Sequence, residues 1–206
     1  MKSPKDNAWY NKVTVPAEMV RGAKAEIPGW KRLEENEHFK TLDKIISGLD
    51  ISSIVDIGCG AGEIGRVYNN LEYLGADLDH IVDNVSMQVN PHLKYLKFDA
   101  HDSDFDFVKP FDIVLLNGFL SEMANPIEIL DKILKNSSKH VIVHRQDLSD
   151  IEETRIENYN SYGGVEATNC IMSKQEFSDV CFSNGFLISI LDLNLGGKKT
   201  IILSKK

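Results

Sequence analysis

Residues Ile54 to Gly65 read IVDIGCGAGEIG. An apolar run carrying one carboxylate, Asp56, leads into four glycines within the eight residues 58–65. A glycine-rich turn between a strand and a helix lets backbone N–H groups and a helix N-terminus come close to a ligand. Which ligand depends on register. Gly60, Gly62 and Gly65 satisfy the dinucleotide spacing G-x-G-x-x-G, while Gly58, Gly60 and Gly62 satisfy G-x-G-x-G. A dinucleotide fingerprint begins where the strand ends. Here that is Gly58, which puts Glu63 in the third glycine position, where its charge opposes a pyrophosphate at a helix start. A carboxylate there suits a neutral or cationic ligand. No Gly-Lys-Ser/Thr follows, so the turn is not a Walker loop.

Outward from this stretch, strands and helices alternate. SSIVDIG, EYLGADLD, HLKYLKFD, FDIVLLN and KHVIVHR read as strands. GEIGRVYNNL, NPIEILDKILKN and SKQEFSDVCFSNG read as helices, the second opened by Asn125-Pro126 and the third bounded by Ser173 and Gly185. FLISILDLN and KKTIILSKK close the chain as strands joined at Gly196-Gly197. The pattern predicts an α/β fold: a seven-stranded, mostly parallel, Rossmann-like sheet with helices on both faces and an antiparallel C-terminal hairpin.

We read residues 1–206 as a single domain. Residues 1–48 form an N-terminal extension, polar and irregular to residue 30 with Pro4, Pro16 and Pro28 as breakers, then a helix from Trp30 to Gly48. Residues 49–145 form the ligand-binding core, and 173–206 a last helix and hairpin. Residues 146–172 are acidic in balance, with Arg155 their one basic residue and little periodicity. They are expected to be a substrate loop beside the binding crevice.

A net charge of −8 without a basic block lowers the expectation of nucleic acid as a partner. No apolar run approaches the roughly 20 residues of a membrane helix, and the N-terminus lacks the apolar stretch of a signal peptide, so a cytoplasmic protein is expected. Cys59, Cys170 and Cys181 show no CxxC spacing and read as buried or incidental thiols. His101 and Asp102 have no strong metal-ligand spacing, and no metal is expected. The oligomeric state stays open.

VDIGCGAGEIG resembles the first motif of class I S-adenosylmethionine (SAM)-dependent methyltransferases, and the motif order over about residues 50–145 agrees. The resemblance implies SAM as cofactor. It implies that Asp77, at the end of YLGAD, binds the ribose hydroxyls, with Leu78 beside it. It implies that Asp99 and Ala100, in LKFDA, flank the adenine, with Asp102 or Asp104 as alternatives to Asp99. Gly58, Cys59, Gly60 and Gly62 form the turn, with Asp56 buried beneath and orienting it through backbone N–H groups. Gly65 is expected to pack helix on sheet. FDIVLLNGFLSEM resembles the segment whose end, at Asn117, passes the methionine moiety. Many relatives carry Leu-Glu-His there, but this chain has Leu120-Ser121-Glu122, so that histidine's role is not carried over.

Methyl transfer to a hydroxyl needs alignment and a proton acceptor. His144, at the end of VIVHRQ, is the first choice of base, against an ordinary hydrogen-bonded histidine finishing a strand. Arg145 is placed to bind an acceptor carboxylate or phosphate, or to pair with the acidic segment. Glu122 and Asn117 face the same edge, or cap the following helix. Tyr159 and Tyr162 either contact substrate or anchor their loop. Trp9 and Trp30 flank a segment that folds over the cofactor as a lid or forms an oligomer contact.

Two further readings compete with a methyltransferase. A NAD(P)-dependent oxidoreductase shares the glycine turn but is disfavoured by register and by the lack of a Tyr-x-x-x-Lys pair. A non-catalytic SAM-binding module gains weight from the missing histidine. A fainter likeness, HRQDL, YNSYGG and MSKQEFSDVCFSNGF to methyltransferases associated with bacterial surface-polysaccharide gene clusters, implies O-methylation of a sugar or sugar-linked metabolite as small-molecule acceptor.

Overall fold

Alternation along β1 (Ser53–Ile57) divides the core in two. Ile54 joins Ile113, Leu115 and Ile142 on one face, under Phe39, Leu42 and Ile46 of α2 (Glu37–Ser47) and Ile64 of α3 (Glu63–Val67). Val55 and Ile57 join Val114, Leu116, Val141 and Val143 on the other. That face is covered by Ile129, Leu130, Ile133 and Leu134 of α6 (Pro126–Asn136) and Phe177 and Cys181 of α7 (Lys174–Ser183). Both helices begin as expected, α6 with proline in its first turn and α7 with Ser173 Oγ accepting the Glu176 N–H. The computed structural model describes residues 14–101, 104–161, 165–193 and 197–206. Trp9, Asp102, Tyr162 and Gly196 lie outside them.

The strands are β1, β2 (Glu72–Asp77), β3 (Tyr95–Lys97), β4 (Ile113–Asn117), β5 (His140–Ser149), β6 (Arg155–Ser161), β7 (Val165–Ser173), β8 (Phe186–Asp192) and β9 (Lys198–Lys205). Their order begins β3-β2-β1-β4-β5, all parallel. β9 returns antiparallel along β5, and β8 pairs antiparallel with β9. The chain therefore leaves β1 in one direction and β4 in the other. This is the switch point outside whose carboxyl ends ligands bind in open α/β sheets. Between β2 and β3 runs a broken helix: α4 (Asp79–Ile81), a π turn (Val82–Ser86) and α5 (Met87–Val89).

α2 begins at Glu37 rather than Trp30, after a 3-10 turn at Leu33–Glu35, and two further regions differ from the sequence reading. Residues 146–172 are not a long loop. β5 continues to Ser149, and β6 and β7 form an antiparallel hairpin, giving nine strands among the described residues. β6 is exposed along its described length. With neither side buried, it carries no apolar alternation to read. Asp147 pairs with Lys198 of β9 and with Ile171 of β7, so the hairpin lies on the β4 edge of β5, beyond the end of β4. Gln146 Nε2 ties the two strands by donating to the Cys170 carbonyl at 3.0 Å.

The second of these regions is α1 (Thr14–Ala23), inside a segment read as irregular. Pro16 stands in its first turn, where no helical N–H is lost. Val15 and Met19, one turn apart, pack against Ala167 and Val165 of β7. Helix and hairpin thus meet above the carboxyl ends of the strands.

Candidate active site

Gly58, Gly60 and Gly62 all have positive φ, 74°, 50° and 73°. Only glycine takes three such conformations in five residues without strain. The turn they make exposes the Gly60 N–H, which donates to Asp77 Oδ2 at 2.8 Å; Asp77 Oδ1 accepts the Leu78 N–H, also at 2.8 Å. Burial lifts the Asp77 carboxyl to about 6, against the pull of these two donors. The turn is fixed from behind, with Ser86 Oγ donating to Gly60 O at 2.6 Å and Asn90 Nδ2 to Ala61 O at 2.8 Å. Gly65 packs helix on sheet, since a Cβ there would lie 2.5 Å from the Tyr73 ring.

Above this turn is a cavity of about 530 Å³. Gly58, Cys59, Gly60, Asp77, Leu78, Asp99, Ala100, Asn117, Glu122 and Arg145 line it. Ten of the residues singled out in the sequence are thus brought together at the ends of β1, β2, β3, β4 and β5. Glu63, first residue of α3, also lines it, as do Trp30 and His38 from the N-terminal region. Four of the lining side chains are carboxyls (Glu63, Asp77, Asp99, Glu122), against two cationic groups, Lys31 and Arg145. Glu63 Oε1 accepts no hydrogen bond but stands 3.6 Å from Arg66 Nη2 as an ion pair; burial raises its carboxyl against the pull of that guanidinium. Burial lifts Glu122 to about 8 against the pull of Arg145, which favours its protonated form.

Arg145 reaches the cavity through a backbone irregularity. Its φ is 60°, and the β5–β9 register shifts between His144 and Gln146. A bulge of this kind re-aims a side chain at a functional edge. Arg145 Nε donates to Asn117 Oδ1 at 2.9 Å, so it is held by an amide rather than by the acidic segment beside it.

Three expectations are corrected. Asp56 does not hold the glycine turn. The Tyr73 hydroxyl donates to its Oδ2 at 3.1 Å, its Oδ1 has no partner, and it lies outside the cavity. Gly62 also lies outside the lining: it caps α3, and a Cβ there would stand 2.3 Å from Tyr95 Oη. His144 does not reach the cavity either. It is 1% exposed and uses both ring nitrogens, Nδ1 on Thr200 Oγ1 at 2.8 Å and Nε2 on His38 Nδ1 at 3.1 Å. Its place in the lining is taken by His38, which no sequence signal marked.

Asp56 yields a stability prediction. Burial lifts its carboxyl from 3.8 to about 7. Folding therefore favours the protonated form, a gain complete below pH 3.8 and lost as pH rises through about 7. Asp56→Asn is expected to reduce the fall in unfolding free energy between pH 4 and pH 8 by about 4 kcal/mol. Urea unfolding at the two pH values measures this, and an unchanged fall contradicts it.

The family model described as "Methionine biosynthesis protein MetW" matches residues 36–148, more than half of the chain. The chain belongs to the MetW family. The match runs from the residue before α2 to the penultimate residue of β5, and so contains His38, the glycine turn and Arg145. No curated protein sequence matches. Solved methyltransferase structures share this chain's fold. SAM-bound CalS10, an amino pentose methyltransferase from Micromonospora echinaspora, has TM-score 0.65 at 13% identity, covering 91% of this chain and 97% of that one. Magnesium protoporphyrin IX methyltransferase from Synechocystis PCC 6803, with S-adenosylhomocysteine (SAH), has TM-score 0.66 at 12% identity, covering 99% and 100%. The N-terminal domain of EvdMO1, in the presence of SAH and D-fucose, has TM-score 0.59 at 14% identity, covering 91% and 94%. Among the described residues no helix is long and apolar enough to cross a membrane, and no His, Cys, Asp and Glu side chains cluster as a metal site.

Proposed function

We propose that this chain is a SAM-dependent methyltransferase that O-methylates a small acceptor, a sugar or sugar-linked metabolite. The observation that carries the reading is the set of carboxyls lining the cavity beside the glycine turn, Asp77 and Asp99 with Glu63 at the first residue of α3. A pyrophosphate at that helix start would meet a carboxylate, whereas a sulfonium or ammonium would be favoured. This point disfavours the oxidoreductase alternative.

The residues fit the cofactor. Gly60 takes φ 50° and lines the cavity without a side chain, so the turn's backbone is bare toward a ligand. Asp77 would hold the ribose hydroxyls, Asp99 and Ala100 the adenine, and the Gly58–Gly60 turn with Asn117 the methionine part. When bound, SAM supplies an activated methyl group. The chain's own work is to orient the acceptor, exclude water and accept a proton. Trp30, from the N-terminal region, lines the same cavity and would serve as a lid over it.

Sugar as acceptor class is supported by the mixture of neutral and charged donors near Arg145 and Glu122, which suits hydroxyl-rich ligands, and by the amino pentose and D-fucose of two fold relatives. The test is transfer of isotope-labelled methyl from SAM to a panel of free and nucleotide-linked hexoses, deoxyhexoses and amino sugars, beside carboxylic acids and catechols. Incorporation into sugars alone is expected. Incorporation only into the other classes overturns the acceptor assignment.

A further inference from the structure

We infer that His38 takes the acceptor's proton on its Nε2, and that His144 and Thr200 position it. The inference rests on the methyltransferase reading above. His144 has no nitrogen left for a substrate, because Thr200 Oγ1 occupies Nδ1 and His38 occupies Nε2. His38, in the first turn of α2, lines the cavity, and its Nε2 carries no hydrogen bond among the described residues. The three side chains come from α2, β5 and β9, and form a line from the interior to the cavity. Its inner members are completely enclosed, His144 at 1% and Thr200 at 0% exposure.

A fully buried imidazole is a costly way to fill a core, and one that leads through a half-buried second imidazole to a cavity fits a role in proton handling. Both rings rest neutral. Burial, with the nearby Arg145 guanidinium, takes His38 down to about 4, and burial, His38 and Arg145 take His144 to about 3. The line has two hydrogen-bond directions. If Thr200 Oγ1 accepts from His144 Nδ1–H, then His144 Nε2 accepts from His38 Nδ1–H, and His38 Nε2 keeps a free lone pair facing the cavity. In the reverse direction His38 Nε2 carries the proton and is no base. The first direction is the one assigned here.

The balance is complete. The acceptor oxygen gains the methyl group of the sulfonium donor, the S–C bonding pair stays on sulfur, and the acceptor's O–H proton passes to His38 Nε2. The sulfonium's positive charge disappears as the imidazolium's appears, so Arg145 meets no added net charge. The proton then leaves to solvent from the half-buried His38.

The test is side-chain 1H–15N spectroscopy of the full chain, labelled with 15N-histidine and free of ligand, at pH 7.5. His38 and His144 are both expected as Nδ1–H tautomers. Thr200→Val removes the acceptor for His144 Nδ1–H and is expected to turn His38 to the Nε2–H tautomer. An Nε2–H His38 in the wild type, or a tautomer indifferent to Thr200→Val, overturns the relay. Calorimetric titration with SAH separates the two readings: His38→Gln is expected within twofold of wild type. Loss of SAH binding by wild type itself would sink the cofactor reading, while the free-protein spectra would still decide the relay. For an acceptor found by the methyl-transfer panel, His38→Gln is expected to lower kcat by roughly 10²–10⁴-fold at unchanged KM for SAM. A kcat within threefold of wild type overturns the base assignment.

Discussion

Asp77→Ala is expected to weaken SAH binding by about 10²–10³-fold, measured by calorimetric titration at pH 7.5. Two losses combine. In the proposed assignment the ribose hydroxyls would lose a charged acceptor, and hydrogen bonds to charged groups contribute roughly 1.5–3 kcal/mol each. The Gly60 N–H also loses its partner, so the left-handed turn that brings the backbone to the ligand is no longer clamped. Asp77→Asn separates the two, since its amide oxygen still accepts the Gly60 N–H while the charge is gone. It is expected to fall between wild type and alanine. Acid has the same sign: with the carboxyl lifted to about 6, affinity is expected to drop as pH falls through that value. Asp77→Ala binding within threefold of wild type would remove Asp77 from the site.

Phe177→Ala is expected to destabilise the fold by about 3–5 kcal/mol. Phe177 is fully buried on α7, in the core cluster shared with α6 and the central strands. Truncation leaves a void that helices pinned on both sides cannot close. In a chain of this size that corresponds to a fall in Tm of roughly 6–20 °C. Phe182, on the same helix but 55% exposed, is the control. Phe182→Ala is expected to change stability by about 0.5 kcal/mol or less. Equal effects of the two would mean that α7 does not pack as described.

Sequence legibility followed burial. β1, β4 and β5 are buried on both faces, so IVDI, IVLL and VIV read clearly as strands, and the glycine run between β1 and α3 located the cavity. The β6–β7 hairpin was unreadable because its outer strand is exposed and its residues have no reason to alternate. α1 was hidden by Pro16, which breaks a helix interior but is accepted in a first turn. In the site, strand parity puts His144 on the face of Ile142, toward α2, but parity does not say what α2 presents there. His38 stands in a polar run, EENEHF, with nothing to distinguish it from a solvated helix residue. The bulge that turns Arg145 into the cavity has no sequence signature beyond its position at a strand end.

The central claim, an acid-lined cavity built for a sulfonium cofactor, is tested most directly by calorimetric titration of the wild-type chain with SAM and SAH, with NAD and NADP as parallel ligands. Saturable binding of SAM and SAH at one site per chain, with no heat from either dinucleotide, is the expected result. Saturable binding of NAD or NADP, with none of SAM or SAH, would contradict the account.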